Sequence, residues 1–238
     1  MEKWKQKART ALHAIHHSSV PILNPVKTES SHGIILRTRP LTETSLIIHW
    51  LTPNLGRVAT VAKGARRPKS AFAGKLDLFY EADFSFSRSR RSELHNLREV
   101  KLRQTHGAIR EDICKLRQAA YGASFIEQAT ETETPLPSIY SLLAGWLQRL
   151  CHQTLPPTGI FALELKLLAE LGLQPDLKSA RLTTGARKIS QLLAVADWVQ
   201  VMQVKPTAAQ TAELRQWLHE FLIIHLGKPP RGRSAATA

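Results

Sequence analysis

The eight residues KGARRPKS, 63–70, hold four permanent positive charges, Lys63, Arg66, Arg67 and Lys69, and no acid. Gly64 and Pro68 keep the stretch out of a helix or a central strand. Like charges held in one loop repel each other, and a polyanion relieves that repulsion. The loop is poor in glycine and leads into no helix, so phosphate is gripped here by side chains and not by a nest of backbone N–H groups. Neither GxxxxGKS/T nor GxGxxG follows a strand, which leaves no nucleotide-phosphate loop. More bases stand nearby. Arg37 and Arg39 end a first strand, Arg57 and Lys63 bracket a third, Lys75 lies further along the loop, and Arg88, Arg90 and Arg91 crowd a turn before a fifth. Several of them can converge on one barrel end or groove. Each phosphate neutralised releases counterions, so binding of this kind weakens steeply with salt. The SRSRRS turn reads equally as a solvated connection. Stacking on bases needs an exposed aromatic. Trp50 reads as core, Phe79 is a weaker choice, and Phe72, inside the loop, is the candidate for base stacking.

Signs of bond-making chemistry are weak. No GxSxG elbow or HExxH pair is present. His13, His16 and His17 form HxxHH, which without a nearby carboxylate or cysteine reads as a solvated polar face. His49 lies in a strand, as a core or a surface residue. Glu111–Asp112 and Glu131–Glu133 flank one helix, and the first pair suits the positive end of its dipole. Cys114 and Cys151 make no CxxC pair, which excludes a disulfide framework or a four-cysteine zinc site. Both cysteines read as buried reduced thiols, in keeping with a reducing cytoplasm. The expectation is a binding protein without cofactor or metal, not an enzyme.

The whole chain agrees with a polyanionic partner. Its 238 residues carry 33 Lys+Arg against 19 Asp+Glu, a formal net charge of +14. A basic balance with clustered charge is the usual footprint of nucleic-acid binding. Hydrophobic residues make up 43%, enough for a core, and no apolar run reaches the roughly 20 residues that span a bilayer. Residues 1–30 form a basic extension with no secretory signal, expected to be helical or disordered, and Pro21 and Pro25 mark a linker.

These residues must be positioned by the elements between them. GIILRTR (33–39), TSLIIHWLT (44–52) and RVATVAK (57–63) read as strands, with PNLG (53–56) as a turn. LDLFYEADFSFSR (76–88) alternates: Leu76, Leu78, Tyr80, Ala82, Phe84 and Phe86 share one face, with Phe79 the exception on the polar side. ELHNLREVKLRQ makes a fifth strand of weaker pattern. Five antiparallel strands in so short a span predict a closed barrel of OB-fold size, residues 31–106. From 107 to 228 the period is helical. The first helix should bury Ile109, Ile113, Leu116, Ala120 and Phe125; others follow over 138–151, 160–172, 183–204 and 207–227, with Gly172 and Gly227 as stops. The basic tail, 229–238, reads as disordered.

In GIILRTRPLTETSLIIHWLTPNLGRVATVAKGARRPKS, FALELKLLAELGLQPDL and FLIIHLGKPPRGR, the chain resembles the bacterial recombination mediator family RecO over roughly residues 32–233. The resemblance implies an N-terminal OB-fold, a C-terminal helical domain and a non-enzymatic role in recombinational DNA repair. It implies binding of single- and double-stranded DNA, annealing of complementary strands, contact with the single-stranded-DNA-binding protein, and action with RecR to help load RecA. It further implies a cytoplasmic, nucleoid-associated protein. Lys166, Arg187, Lys188 and Arg215 are basic candidates, from charge alone, for the acidic tail of the single-stranded-DNA-binding protein. Two features depart from the family pattern. LGLQPDL is followed by KSARLTTGARKIS, without the four-cysteine zinc module many members carry, and the N-terminal extension has no counterpart. An RNA-binding OB-fold protein, such as a ribosome-associated factor, would show the same charge and fold; a nuclease on an OB scaffold is the third reading.

Overall fold

The long first strand explains the barrel. In the computed structural model, which describes residues 28–237, β1 spans Thr28–Pro40. Its first part, to Ile34, pairs with β4 (Glu81–Ser87), and its second part, from Ile34 on, with β2 (Leu46–Thr52) through a register shift between Ile35 and Arg37. A bulge bends a strand and increases its twist, which lets one strand serve two neighbours. With β3 (Gly56–Ala62) and β5 (Leu94–Gln104) the order closes as β1-β2-β3-β5-β4; only the β3–β5 pairing is parallel. The closed five-stranded barrel of OB type is as expected, but the parallel β3–β5 pairing corrects the expectation of five antiparallel strands. Inside it lie Ile35, Ile48, Trp50, Val58, Phe84, Phe86 and Val100. Trp50 is fully buried, stacks on Phe84 at 4.1 Å and donates its indole N–H to Thr60 Oγ1 at 2.9 Å.

A single 3-10 turn, Gly107–Ile109, leads from β5 into the helices. These are α1 (Ile113–Ala129), α2 (Pro137–His152), α3 (Pro157–Glu170), α4 (Thr184–Val195), α5 (Trp198–Gln203), α6 (Ala208–Leu226) and α7 (Arg233–Ala236). The segment after LGLQPDL runs through turns between α3 and α4. One apolar core joins the two halves: Ile34, Leu36, Leu51 and Phe79 pack with Tyr121, Phe125, Leu143, Trp146 and Leu163.

The structure corrects several expectations. The strand at 76–88 shortens to β4, because Phe79 adopts φ 65 and turns the backbone. Phe79 N–H donates to Ile35 O and Ile35 N–H to Tyr80 O, which drives the Phe79 ring into the core shared with the helices. In α1, Asp112 is the cap, Ile113 is 58% exposed and Ala120 is also exposed; the buried residues are Gln118, Ala119, Tyr121, Gly122, Ala123, Phe125 and Ile126. Small residues stand among them because Trp146 and Leu163 come so close that a Cβ at Gly122 would meet both at 3.3 Å. The helix expected at 183–204 breaks at Asp197, whose capping box with Gln200 starts α5. Cys114 is exposed in the first turn of α1 and Cys151 only half-buried, so neither is a core thiol. The tail is ordered: α7 carries Arg233 into the core, where Glu164 awaits it. The HxxHH group and nearly all of the N-terminal extension lie outside the described residues.

Candidate nucleic-acid interface

Strand register builds the basic surface. Pro40 faces Leu46, and Leu46 faces Ala62, so β1 and β3 both end at one rim of the barrel. Arg39 stands there on β1 and Lys63 just after β3, both exposed. The loop then winds through successive tight turns: Arg67 N–H donates to Gly64 O, Ser70 N–H to Arg67 O, Ala73 N–H to Ser70 O and Lys75 N–H to Phe72 O, all at 3.0–3.1 Å. Gly64 permits the first of them with φ +68. Arg66 N–H donates to Thr44 O at 3.0 Å and ties the loop to the β1–β2 turn. Arg66, Arg67 and Lys69 are exposed on this fixed frame, and Arg66 Nη1 also donates to Thr42 O at 3.4 Å. Among the described residues, none of Arg39, Lys63, Arg66, Arg67, Lys69, Lys75, Arg90 or Arg91 forms an ion pair.

The other bases do not join this rim. β5 enters beside Ala59, so Arg90 and Arg91 in the β4–β5 turn lie toward the start of β3, while KGARRPKS leaves from its end. The bases therefore form two groups and not a single convergent patch. Three of them are taken up by the helical half. Arg37 Nη2 lies 2.9 Å from Glu127 Oε1. Arg57 donates to Thr130 Oγ1 at 2.8 Å and to the Thr130 carbonyl. Arg88 holds Glu29 with two bonds at 3.0 Å and Glu133 at 2.9 Å, and Glu133 also meets His95 Nε2 at 2.8 Å. His49 sits within this seam. Burial first, then the positive charges of Arg37, Arg39 and Arg57, lower its pKa to about 4. Sequence could not assign these partners, because Glu127, Thr130 and Glu133 lie tens of residues downstream.

Of the aromatics, Trp50 and Phe79 are fully buried. Phe72 is half-buried, resting on the barrel core and lining an open hollow of about 600 Å3. Lys75, and Arg98 and Lys101 of β5, stand at the same hollow. The last two escaped the sequence reading, although REVKLR does place bases along a strand of otherwise weak pattern. In the helical half, Lys166 donates to Ala194 O, Arg187 to Ala180 O and Leu182 O, and Arg215 to Thr237 O; Lys188 is exposed. Among the described residues, no three His, Cys, Asp or Glu gather where a metal ion would bind, and no helix is long and apolar enough to cross a membrane.

A closed OB-type barrel fused to a helical half, with a fixed, exposed basic loop on its rim, defines the class. Residues 26–106 match the family model for "Recombination protein O N terminal", and residues 110–180 that for "Recombination protein O C terminal". The chain is 31% identical over 145 residues to the DNA repair protein RecO of Bacillus subtilis (strain 168), covering 61% of this chain and 56% of the relative. It is 30% identical over 154 residues to the DNA repair protein RecO of Myxococcus xanthus (strain DK1622), covering 65% and 63%. The chain thus belongs to the RecO family, while the matched stretch spans less than two thirds of these relatives.

Proposed function

We propose that this chain is a DNA-binding recombination mediator in DNA repair. Its action is binding, with no bond made or broken by its own side chains and no cofactor. The barrel loop neutralises phosphates on two strands, which lowers their mutual repulsion and lets exposed complementary bases pair. On this reading the chain binds single- and double-stranded DNA in the nucleoid and anneals strands coated by the single-stranded-DNA-binding protein. It then acts with RecR to help RecA load. One observation carries the reading: Arg66, Arg67 and Lys69 are exposed, without acidic partners among the described residues, on a loop held by its own turns. A family whose relatives are called DNA repair proteins supports the choice of DNA.

Fluorescence anisotropy of a single-stranded oligonucleotide across a salt series tests this. Changing Arg66, Arg67 and Lys69 to Ala should weaken binding and make the log–log salt slope shallower by about two units, at roughly 0.7 per phosphate lost. Coincident curves for wild type and variant would assign the loop another role.

A further inference from the structure

The part of an OB barrel that ordinarily takes oligonucleotides is the β2–β3 face with its flanking loops. Here the helical half lies across part of that face. Leu51 of β2 packs into the core shared with the helices. Leu136 N–H donates to Pro53 O in the β2–β3 turn, and Glu133 N–H to Arg57 O on β3. Arg88, in the β4–β5 turn, is pinned to Glu133. A strand following the rim cations therefore has its open path on the other side of the barrel.

The open hollow lies there, against β1, β4 and β5. Its volume of about 600 Å3 is in the range of small-molecule sites. The chain reaches it directly from the basic loop: Lys69 is three residues from Phe72 and six from Lys75, both of which line it. Its composition is mixed. Phe72 offers an aromatic face, Arg98 and Lys101 are donors, and Glu99 is an acceptor. Asp83, also on its wall, is held by Arg103 at 2.6 Å. A phosphate would meet carboxylates here. A nucleobase suits the hollow better, since it has a stacking face and both donors and acceptors on its edge.

We infer that a base of the bound strand inserts into the β1–β4–β5 hollow and stacks on Phe72, while the rim loop holds the flanking phosphates. This rests on the DNA-binding reading above. Phosphate contacts give affinity and salt dependence, and the hollow adds a contact that needs a base.

The full chain would be titrated with two oligonucleotides of equal length and charge, one of thymidines and one of abasic sites. Wild type should prefer the first by roughly fivefold to a hundredfold, the range for loss of one stacked base. Phe72→Leu keeps apolar packing on the barrel core and should remove most of that preference without changing the salt slope. Arg98→Ala with Lys101→Ala, on exposed β5 positions, should reduce it with the fold intact by thermal unfolding. Arg66, Arg67 and Lys69 changed to Ala should weaken both oligonucleotides equally. Equal binding of the two oligonucleotides by wild type, or a preference that survives in Phe72→Leu and in the β5 variant, overturns the inference and leaves the DNA-binding reading standing. Failure of wild type to bind either oligonucleotide overturns both.

Discussion

Glu164 is fully buried, and its charge is met on both oxygens. Arg233 donates Nε to Oε1 at 2.7 Å and Nη2 to Oε2 at 2.9 Å, while Tyr121 donates its hydroxyl to Oε1 at 2.5 Å. Burial, then the Glu164 charge, raises the Tyr121 pKa well above its usual value, so the phenol stays a donor. Burying two charges costs solvation that good geometry offsets, but removing one partner strands the other. Arg233→Ala should therefore cost about 3–5 kcal/mol in urea unfolding. Replacing both, Arg233→Met with Glu164→Leu, should cost clearly less than Arg233→Ala alone. A single-variant loss under about 1 kcal/mol would show that the tail does not need the pair. The basic tail that composition marks as disordered is held in place by this one arginine and by Arg215, which donates to Thr237 O at 2.6 Å.

Among the elements, the β2–β3 hairpin shows how closely the halves fit. Gly56 has φ +65, and a Cβ there would sit 1.8 Å from Thr134 O in the segment after α1. The turn residues PNLG are legible as a turn, since proline, asparagine and glycine act locally. That the glycine also makes room for a segment nearly eighty residues on is not. Gly56→Ala should destabilise by well over about 1 kcal/mol, through both backbone strain and overlap. Gly74→Ala, also at positive φ but with nothing within 4 Å, should lose less. Similar losses at both positions would mean that backbone strain alone decides. The break at Asp197 teaches a related point: a helical period continues through 183–204, but the backbone leaves the helix at Ala196 (ψ 146) and the capping box at Asp197 starts the next one.

At the scale of the whole molecule, the seam between barrel and helices decides how the charge is used. Arg37, Arg57 and Arg88 cross it to Glu127, Thr130 and Glu133, and Tyr140 of α2 donates to Glu81 of β4 at 2.9 Å. His49 lies among these bases with Glu127 3.9 Å away. Its folded pKa of about 4 lies below the unfolded 6.5, so the unfolded chain takes up the proton first. Stability should fall as pH drops below about 6.5 and level off for this group below about 4. Between pH 7 and pH 5 the loss should be about 2 kcal/mol. His49→Gln should lack that part of the pH dependence, measured as the difference between the two proteins' urea midpoints. Parallel pH profiles would place His49 in a solvated site.

The sequence by itself determined the barrel, the helical half and the basic loop. Alternating strands, tight turns and a run of bases between Gly64 and Pro68 act over a few residues, so their consequences can be read one segment at a time. The tertiary structure alone decided which bases remain free. Arg66, Arg67 and Lys69 stay exposed because no acid among the described residues comes within ion-pair reach, whereas Arg37, Arg57 and Arg88 meet partners in the segment around the end of α1. It also decided that Phe79 is core and that the tail is ordered, since Ile35 and Glu164 lie far from them in the chain. Charge and burial are settled by contacts between distant segments, and no local pattern of residue types records which segments will meet.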